Sequence, residues 1–260
     1  MGNFITSIKV NHIFHLENFC IPISENEKKH LIITGKNGSG KTILLNAIVE
    51  HLSKVCNDKT LSFLDYEKHL ESCRTRLQQY KVVGDSQKII SNQDSIELYK
   101  TWIEEVYGKV ELSFHDIYSI PKDFLSQDFI IAYYADERKS LFVEPKNPVK
   151  PDLKMKTDLK HNKVDQFLNF MVDCKVQEAL ARNEGKTEDA DYIRQWFVGF
   201  RNILRQIFDD TTLELDFNYK DYSFLIQTRG KSFKFTELSA GYSAALDIVA
   251  DLILKMQSQN

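Results

Sequence analysis

The sequence predicts an α/β fold, and three observations support that prediction. Near the N-terminus, Phe4, Ile8 and Val10 alternate with polar positions, which is typical of strands because successive side chains point to opposite faces. A glycine-rich turn then separates a short apolar run from an amphipathic helical pattern. Near the C-terminus, alternating runs precede a last helical pattern, which indicates a β meander followed by a helix.

Length and composition restrict the class of protein. The chain has 260 residues and a net charge of −3, which excludes a globally basic nucleic-acid coat. No apolar run approaches the roughly 20 residues that cross a bilayer. The N-terminus also lacks the pattern of a signal peptide, so we expect a cytoplasmic protein without a membrane partner. Four widely spaced cysteines without a C-x-x-C pair argue against a disulfide framework or a zinc site.

The first predicted segment covers residues 1–55. After the N-terminal strand, residues 15–23 are expected to form a second strand. Residues 31–34 (Leu-Ile-Ile-Thr) are apolar on both faces, which predicts a short buried central strand. A helix is expected from Lys41 to about Val55, with a single apolar stripe. The stripe comprises Leu44, Leu45, Ile48, Leu52 and Val55.

The second predicted segment, residues 56–205, is expected to be a largely helical insertion. Residues 56–110 are polar with weak helical periodicity, interrupted by a loop-like Gly84-Asp85-Ser86. Alternating apolar residues predict a strand at 110–114. Three of the five prolines fall within residues 145–152, which predicts a linker or surface loop.

Two amphipathic helices are expected at the end of the insertion, around residues 164–176 and 193–207. Gly185 separates them, and Thr187 is expected to cap the second helix. The aromatic stripe of the second helix is interpreted as core packing.

The third predicted segment, residues 206–260, combines a β meander with a helix. The turn Arg229-Gly230-Lys231 separates its last two strands, and the helix is expected from about Ser243. The alternating positions of the meander are Leu213, Leu215, Phe217, Tyr219, Tyr222, Phe224, Ile226, Phe233 and Phe235.

Residues 35–42 form a candidate phosphate-binding loop. They read Gly35-Lys36-Asn37-Gly38-Ser39-Gly40-Lys41-Thr42 and fit G-x-x-x-x-G-K-[ST] at every fixed position. Glycines let consecutive N–H groups point at phosphate oxygens, and the following helix adds the positive end of its dipole. Lys41 is expected to reach the β- and γ-phosphates, and the Thr42 hydroxyl to ligate Mg²⁺. The pattern therefore predicts a nucleotide-binding site.

Residues 35–42 also resemble a narrower pattern, G-x-N-G-x-G-K-[ST]. This pattern is found in the ABC-class ATPase heads of the RecF, SMC and OLD type, which are AAA family ATPases. Upstream, Leu16-Glu17-Asn18-Phe19 is similar to their L-x-N-F strand. Downstream, Leu238-Ser239-Ala240-Gly241-Tyr242 is similar to their L-S-G-G-Q signature, with departures at Ala240 and Tyr242. The resemblance implies one P-loop NTPase head over residues 1–260, with N-terminal antiparallel strands, a central sheet and a helical insertion.

The resemblance also implies ATP and Mg²⁺ as ligands and an ATP-dependent homodimer. ATP would lie between two copies, so that Ser239 and Gly241 meet the γ-phosphate held by the partner's Lys41. ATP would favour this dimer, and hydrolysis would release it. The 198 positions from Lys41 to Ser239 (239 − 41) contain no heptad repeat, which excludes long SMC-type arms. A compact helical insertion is typical of related ATPases in DNA repair or phage defence. By analogy with them alone, DNA and an effector module are expected partners of this chain.

The catalytic residues are unknown from the sequence. In this family, hydrolysis uses an apolar strand that ends in Asp-Glu after the signature helix. The sequence stops at Asn260, so we expect a head truncated before that strand. The rival candidates are Asp136 and Glu137, which follow an apolar run at 129–134 that predicts a buried strand. A solvent-exposed strand end is the alternative explanation for this acidic pair.

A glutamine that contacts the nucleotide is also expected between the two motifs, and spacing does not rank the candidates, which are Gln78, Gln79, Gln87, Gln93 and Gln127. Two functions stay open. The first is an ATP-gated dimerising switch that hydrolyses ATP when complete. The second is a nucleotide-binding regulatory module without hydrolysis of its own. A P-loop kinase or a small GTPase is less consistent with the sequence, which lacks an N-K-x-D guanine motif.

Overall fold

The computed structural model of the chain describes residues 2–126, 128–134, 142–151 and 164–257. The chain divides into two compact units, residues 1–131 and residues 132–260. The described residues combine helices with two small antiparallel sheets, one in each unit, which confirms the α/β class.

The sheet of the first unit consists of strands β1 (Ile5–Ile13), β2 (Leu16–Pro22) and β3 (Val110–Phe114). Its order is β2-β1-β3, and β1 is antiparallel to both neighbours. Val10 lies opposite Phe19 on one side and Val110 on the other. Because Val10 is fully buried, the predicted alternation of this strand is confirmed.

Helix α1 (Lys41–Asn57) follows the glycine loop and packs against β3 and the short helix α4 (Ile120–Leu125). The predicted stripe is confirmed at Leu44, Ile48, Leu52 and Val55, which are buried, whereas Leu45 is exposed. The apolar face therefore anchors the helix and fixes the loop at its N-terminus.

Two long helices form a hairpin between α1 and β3. After a single 3₁₀ turn (Ser62–Asp65) come α2 (Tyr66–Val83) and α3 (Ser86–Tyr107). The predicted loop at residues 84–86 is confirmed: Gly84 closes α2 with φ of +75°, and the Asp85 side chain accepts a hydrogen bond from Lys88 N at the start of α3.

The second unit packs helices against a three-stranded meander. The helices are α5 (Phe167–Asn183), α6 (Thr187–Phe208) and α7 (Ala240–Gln257), and the strands are β4 (Glu214–Asn218), β5 (Ser223–Thr228) and β6 (Lys231–Lys234). All three helices and the sheet contribute to one core that includes Phe167, Phe200 and Phe224. The predicted meander and the interpretation of the aromatic stripe as core packing are thus confirmed.

The predicted strand at residues 31–34 is wrong. These residues form no regular secondary structure, and the side chains of Leu31 and Ile32 are 41% and 84% exposed. A strand requires a hydrogen-bonded neighbour, and residues 31–34 pair with none of the described strands. A short apolar run favours burial in a sheet, but it forms a strand only where another strand is available to pair with it.

Four further expectations need correction. Residues 129–134 form no strand, and Ile131 alone among them is buried. Thr187 is the first residue of α6 rather than its cap, since Lys186 holds the capping position without a side-chain bond. Helix α7 begins at Ala240 and not at Ser243. The central sheet also differs from expectation, because the described strands form two separate sheets and neither contains residues 31–34.

Candidate phosphate-binding site

The loop at residues 35–42 ends directly in helix α1. Gly40 holds the capping position with φ of +87°, and Leu44 N donates to Gly40 O at 2.9 Å as the helix begins. Gly38 has φ of +80°, and Ser39 N donates to Lys36 O at 3.2 Å to close a turn. Left-handed backbone at two positions is readily adopted only by glycine, which explains the spacing of the motif.

Lys41 folds back over this loop. Its Nζ donates to Gly35 O and to Lys36 O, both at 2.8 Å. The ammonium group is therefore held beside the loop backbone by two main-chain carbonyl groups. Neither the loop nor the first turn of α1 contains an acidic residue. The local charge is thus positive, and the helix dipole adds to it because the first N–H groups of a helix have no partner within the helix.

Side chains approach two of the loop glycines closely. A Cβ atom at Gly35 would lie 2.7 Å from Ser39 Oγ, within the loop itself. A Cβ atom at Gly40 would lie 3.2 Å from Leu16 Cδ1 and 3.6 Å from His15 Cε1. The start of β2 therefore supports the loop from outside. The sequence did not predict that His15 and Leu16 contact the loop, although Leu16 is the first residue of the L-x-N-F pattern.

The donor set of the loop fits a magnesium–phosphate group. Thr42 is exposed and follows Lys41, so its hydroxyl oxygen, a ligand type that Mg²⁺ accepts, is accessible. In the part of the chain that the structure describes, no group of three or more His, Cys, Asp or Glu side chains is placed to hold a metal ion. Thr42 is consistent with an ion held chiefly by substrate phosphates and water, as Mg²⁺ commonly is.

The signature-like residues lie at the start of α7. Ser239, Ala240, Gly241 and Tyr242 are exposed, and Ser243 N donates to Ser239 O at 2.9 Å in the first helical bond. A Cβ atom at Gly241 would have no atom within 4 Å, so packing within this chain does not require glycine there. The ring of Tyr242 stacks on Phe208 with 4.2 Å between centroids. This helix N-terminus is therefore open to an anion or to a second molecule.

The predicted site residues belong to separate parts of the structure. Residues 35–42 belong to the first unit and residues 238–241 to the second. Asp136, Glu137 and Gln127 lie outside the described residues. The other glutamine candidates are on the helical hairpin, with Gln78 and Gln79 on α2 and Gln87 and Gln93 on α3.

None of the helices among the described residues is long and apolar enough to span a bilayer. The chain matches no protein-family model, and no curated protein and no solved structure is significantly similar to it.

Proposed function

We propose that residues 35–42 bind the phosphates of ATP together with Mg²⁺. The observation that carries this proposal is the placement of Lys41 Nζ, 2.8 Å from two carbonyl oxygens of a loop with glycines at left-handed φ. On binding, the ammonium group exchanges these neutral acceptors for phosphate oxygens, and a charged acceptor makes the stronger hydrogen bond. The loop N–H groups and the N-terminus of α1 contribute the remaining donors.

Magnesium has one protein ligand in this proposal, the Thr42 hydroxyl. When bound, the ion supplies positive charge that neutralises the β- and γ-phosphates. Lys41 and the loop N–H groups then orient the phosphates. Lys36, the other cation of the loop, is exposed and adds to the attraction of the polyanion.

The signature-like turn supports the second part of the proposal, an ATP-dependent homodimer. Ser239 and Gly241 are exposed at the N-terminus of α7, and glycine at position 241 leaves open space where a side chain would stand. A helix N-terminus of this kind binds a phosphate without further charged residues. In the dimer it would contact the γ-phosphate that the partner's Lys41 holds. By family analogy, this switch acts in DNA repair or phage defence, with DNA or an effector module as partner.

Calorimetry with Mg-ATP tests the loop. The variant Lys41→Ala removes charged hydrogen bonds worth about 1.5–3 kcal/mol each, so the affinity falls by at least about tenfold. Lys59→Ala is the matched control, because Lys59 is an exposed lysine of the same unit, beyond the end of α1. Retained affinity in Lys41→Ala, or an equal loss in Lys59→Ala, would contradict the assignment.

Sedimentation velocity tests the dimer. Mg-ATP is expected to shift wild-type protein to a dimer, and Ser239→Arg is expected to keep it monomeric while it still binds ATP. A dimer that persists in Ser239→Arg would rule out the sandwich. Phosphate release by wild-type protein would favour the hydrolysing switch over the regulatory module. If release occurs and Asp136→Asn abolishes it without affecting Mg-ATP binding, the rival acidic pair is the catalytic one.

A further inference from the structure

A cleft at the base of the α2–α3 hairpin brings aromatic rings and carboxylates together. Its volume is about 480 Å³, and three rings line it, those of Phe63, Tyr66 and Trp102. We call it the aromatic cleft. The centroids of the Tyr66 and Trp102 rings lie 5.3 Å apart, with 35° between the ring planes. Sites for small molecules commonly have volumes of about 300–1,000 Å³ and are lined by aromatic side chains, so the cleft has the size and lining of such a site.

The buried core of the hairpin is formed by other residues. Leu70, Cys73 and Ile96 pack together there and are at most 8% exposed. Tyr66 and Trp102 are only half-buried, so part of each side chain stays accessible from the cleft. Tyrosine and tryptophan are enriched at binding surfaces because they offer a large apolar ring beside a polar tip. The accessible rings are therefore available to a ligand.

The charged groups of the aromatic cleft favour a cation. The carboxylates of Asp58 and Glu105 and the ammonium group of Lys54 line it, so one positive charge faces two negative ones. Lys54 Nζ donates to the main-chain carbonyl of Glu105. The aromatic faces act in the same direction as the net charge, since the π face of a ring attracts a cation within about 6 Å of its centroid.

Asp58 contributes its charge without offering a hydrogen-bond acceptor. Its Oδ1 accepts from Thr60 N at 3.0 Å and Thr60 Oγ1 at 2.9 Å, and its Oδ2 accepts from Ser62 N and Ser62 Oγ at 2.8 Å. These four bonds fill the lone-pair sites of the carboxylate. Partial burial raises the pKa of Asp58, but the bonds from Ser62 and Thr60 outweigh it and lower the pKa overall. The group is thus ionised at neutral pH, and it suits a cation that has no hydrogen to donate.

We propose that the aromatic cleft binds a small methylated ammonium cation, with the charged group against the rings of Tyr66 and Trp102. A quaternary ammonium group has no N–H to donate, and aromatic rings are its common binding partners in proteins. The cleft lies at the C-terminal end of α1, since Lys54 is about 20 Å along the helix from Lys41. This inference therefore goes beyond the proposed nucleotide binding and is independent of it.

Fluorescence of Trp102 tests the ligand class. A Trp196→Phe background leaves Trp102 as the single tryptophan of the chain. Choline should change its fluorescence saturably, and 3,3-dimethylbutan-1-ol, the neutral isostere of choline, should bind about 2 to 30 times more weakly. Ethanolamine, whose primary ammonium group needs acceptors, should also bind more weakly. The absence of a saturable response to choline, or equal affinity for either of the other two probes, would overturn the proposal.

Substitutions that keep Trp102 as the reporter test the site. Tyr66→Leu should weaken choline by a factor in the same range, whereas Tyr66→Phe should retain the affinity because the ring remains. Glu105→Gln should weaken choline about 1.5- to 5-fold through the loss of an exposed charge. Tyr118→Leu is the matched control, because Tyr118 is an exposed tyrosine of the same unit. Unchanged affinity in both Tyr66→Leu and Glu105→Gln, or an equal loss in Tyr118→Leu, would refute the assignment.

Methylated ammonium groups also occur in lipid headgroups, and co-sedimentation with phosphatidylcholine vesicles separates this source from a free cation. We expect the protein to stay in the supernatant, because the phosphate of the headgroup would lie close to the carboxylates of Asp58 and Glu105 and be repelled. Co-sedimentation that choline abolishes would assign the cleft to a lipid headgroup and overturn its assignment to a free cation.

Discussion

Gly38 and Gly40 both have a left-handed φ but have different surroundings, which allows a quantitative test of how the loop is supported. Their φ angles are +80° and +87°. An alanine Cβ atom at position 38 would meet no atom within 4 Å, whereas at position 40 it would lie 3.2 Å from Leu16 Cδ1. Comparing Gly38→Ala with Gly40→Ala therefore separates backbone strain from the contact with β2.

The expected magnitudes follow from these two differences. Left-handed backbone costs a non-glycine residue about 1–2 kcal/mol, and this applies to both variants. Crowding in a packed site adds about 1–3 kcal/mol, toward the lower end here because Leu16 is only half-buried and can shift. We expect the free energy of unfolding of the first unit to fall by about 1–2 kcal/mol in Gly38→Ala and by about 2–3 kcal/mol in Gly40→Ala.

Urea denaturation followed by tryptophan fluorescence measures these losses. The chain has two tryptophans, Trp102 in α3 and Trp196 in α6, so a Trp196→Phe background leaves a reporter in the first unit alone. Adding Leu16→Ala to each glycine variant completes a double-mutant cycle. With Gly40→Ala it should recover about 1 kcal/mol of coupling, and with Gly38→Ala the losses should add. Equal losses for the two glycine variants, or zero coupling between positions 16 and 40, would refute the close approach of β2 to the loop.

Two more predictions concern buried polar groups. Burial lowers the pKa of His51, although the Val106 carbonyl near its Nδ1 opposes this shift. The unfolded chain therefore binds the proton more tightly, and stability should be full above about pH 6.5 and decline as the pH falls below it. In urea denaturation between pH 7.5 and 5, His51→Gln should flatten this dependence; an unchanged slope would contradict it. Asp251, which is 1% exposed, accepts hydrogen bonds from Tyr134 Oη at 2.9 Å and Lys255 Nζ at 2.7 Å. Asp251→Ala should cost about 3 kcal/mol in thermal unfolding, and the pair Asp251→Leu with Lys255→Met should cost less, because it leaves no buried charge; equal losses would contradict the buried ion pair.

Comparing the predicted helices and strands with those observed shows which sequence patterns are enough to predict secondary structure. Helix α1 and the meander β4-β5-β6 were predicted correctly, because amphipathic periodicity and turn residues are local signals. The strands predicted at 31–34 and 129–134 do not form in the described residues. Both are short apolar runs, and whether such a run becomes a strand depends on a neighbour elsewhere in the chain.

The sequence alone determined the glycine-rich loop of residues 35–42. The loop needs glycines at positive φ, a lysine and the start of a helix, and all of these lie within residues 35–42. A short stretch of sequence is therefore enough to predict it. Only the tertiary structure showed that Leu16, the first residue of β2, and His15, in the turn before it, lie against this loop. Contacts between residues 24 or more positions apart depend on how the chain folds back on itself, and no local pattern encodes that distance.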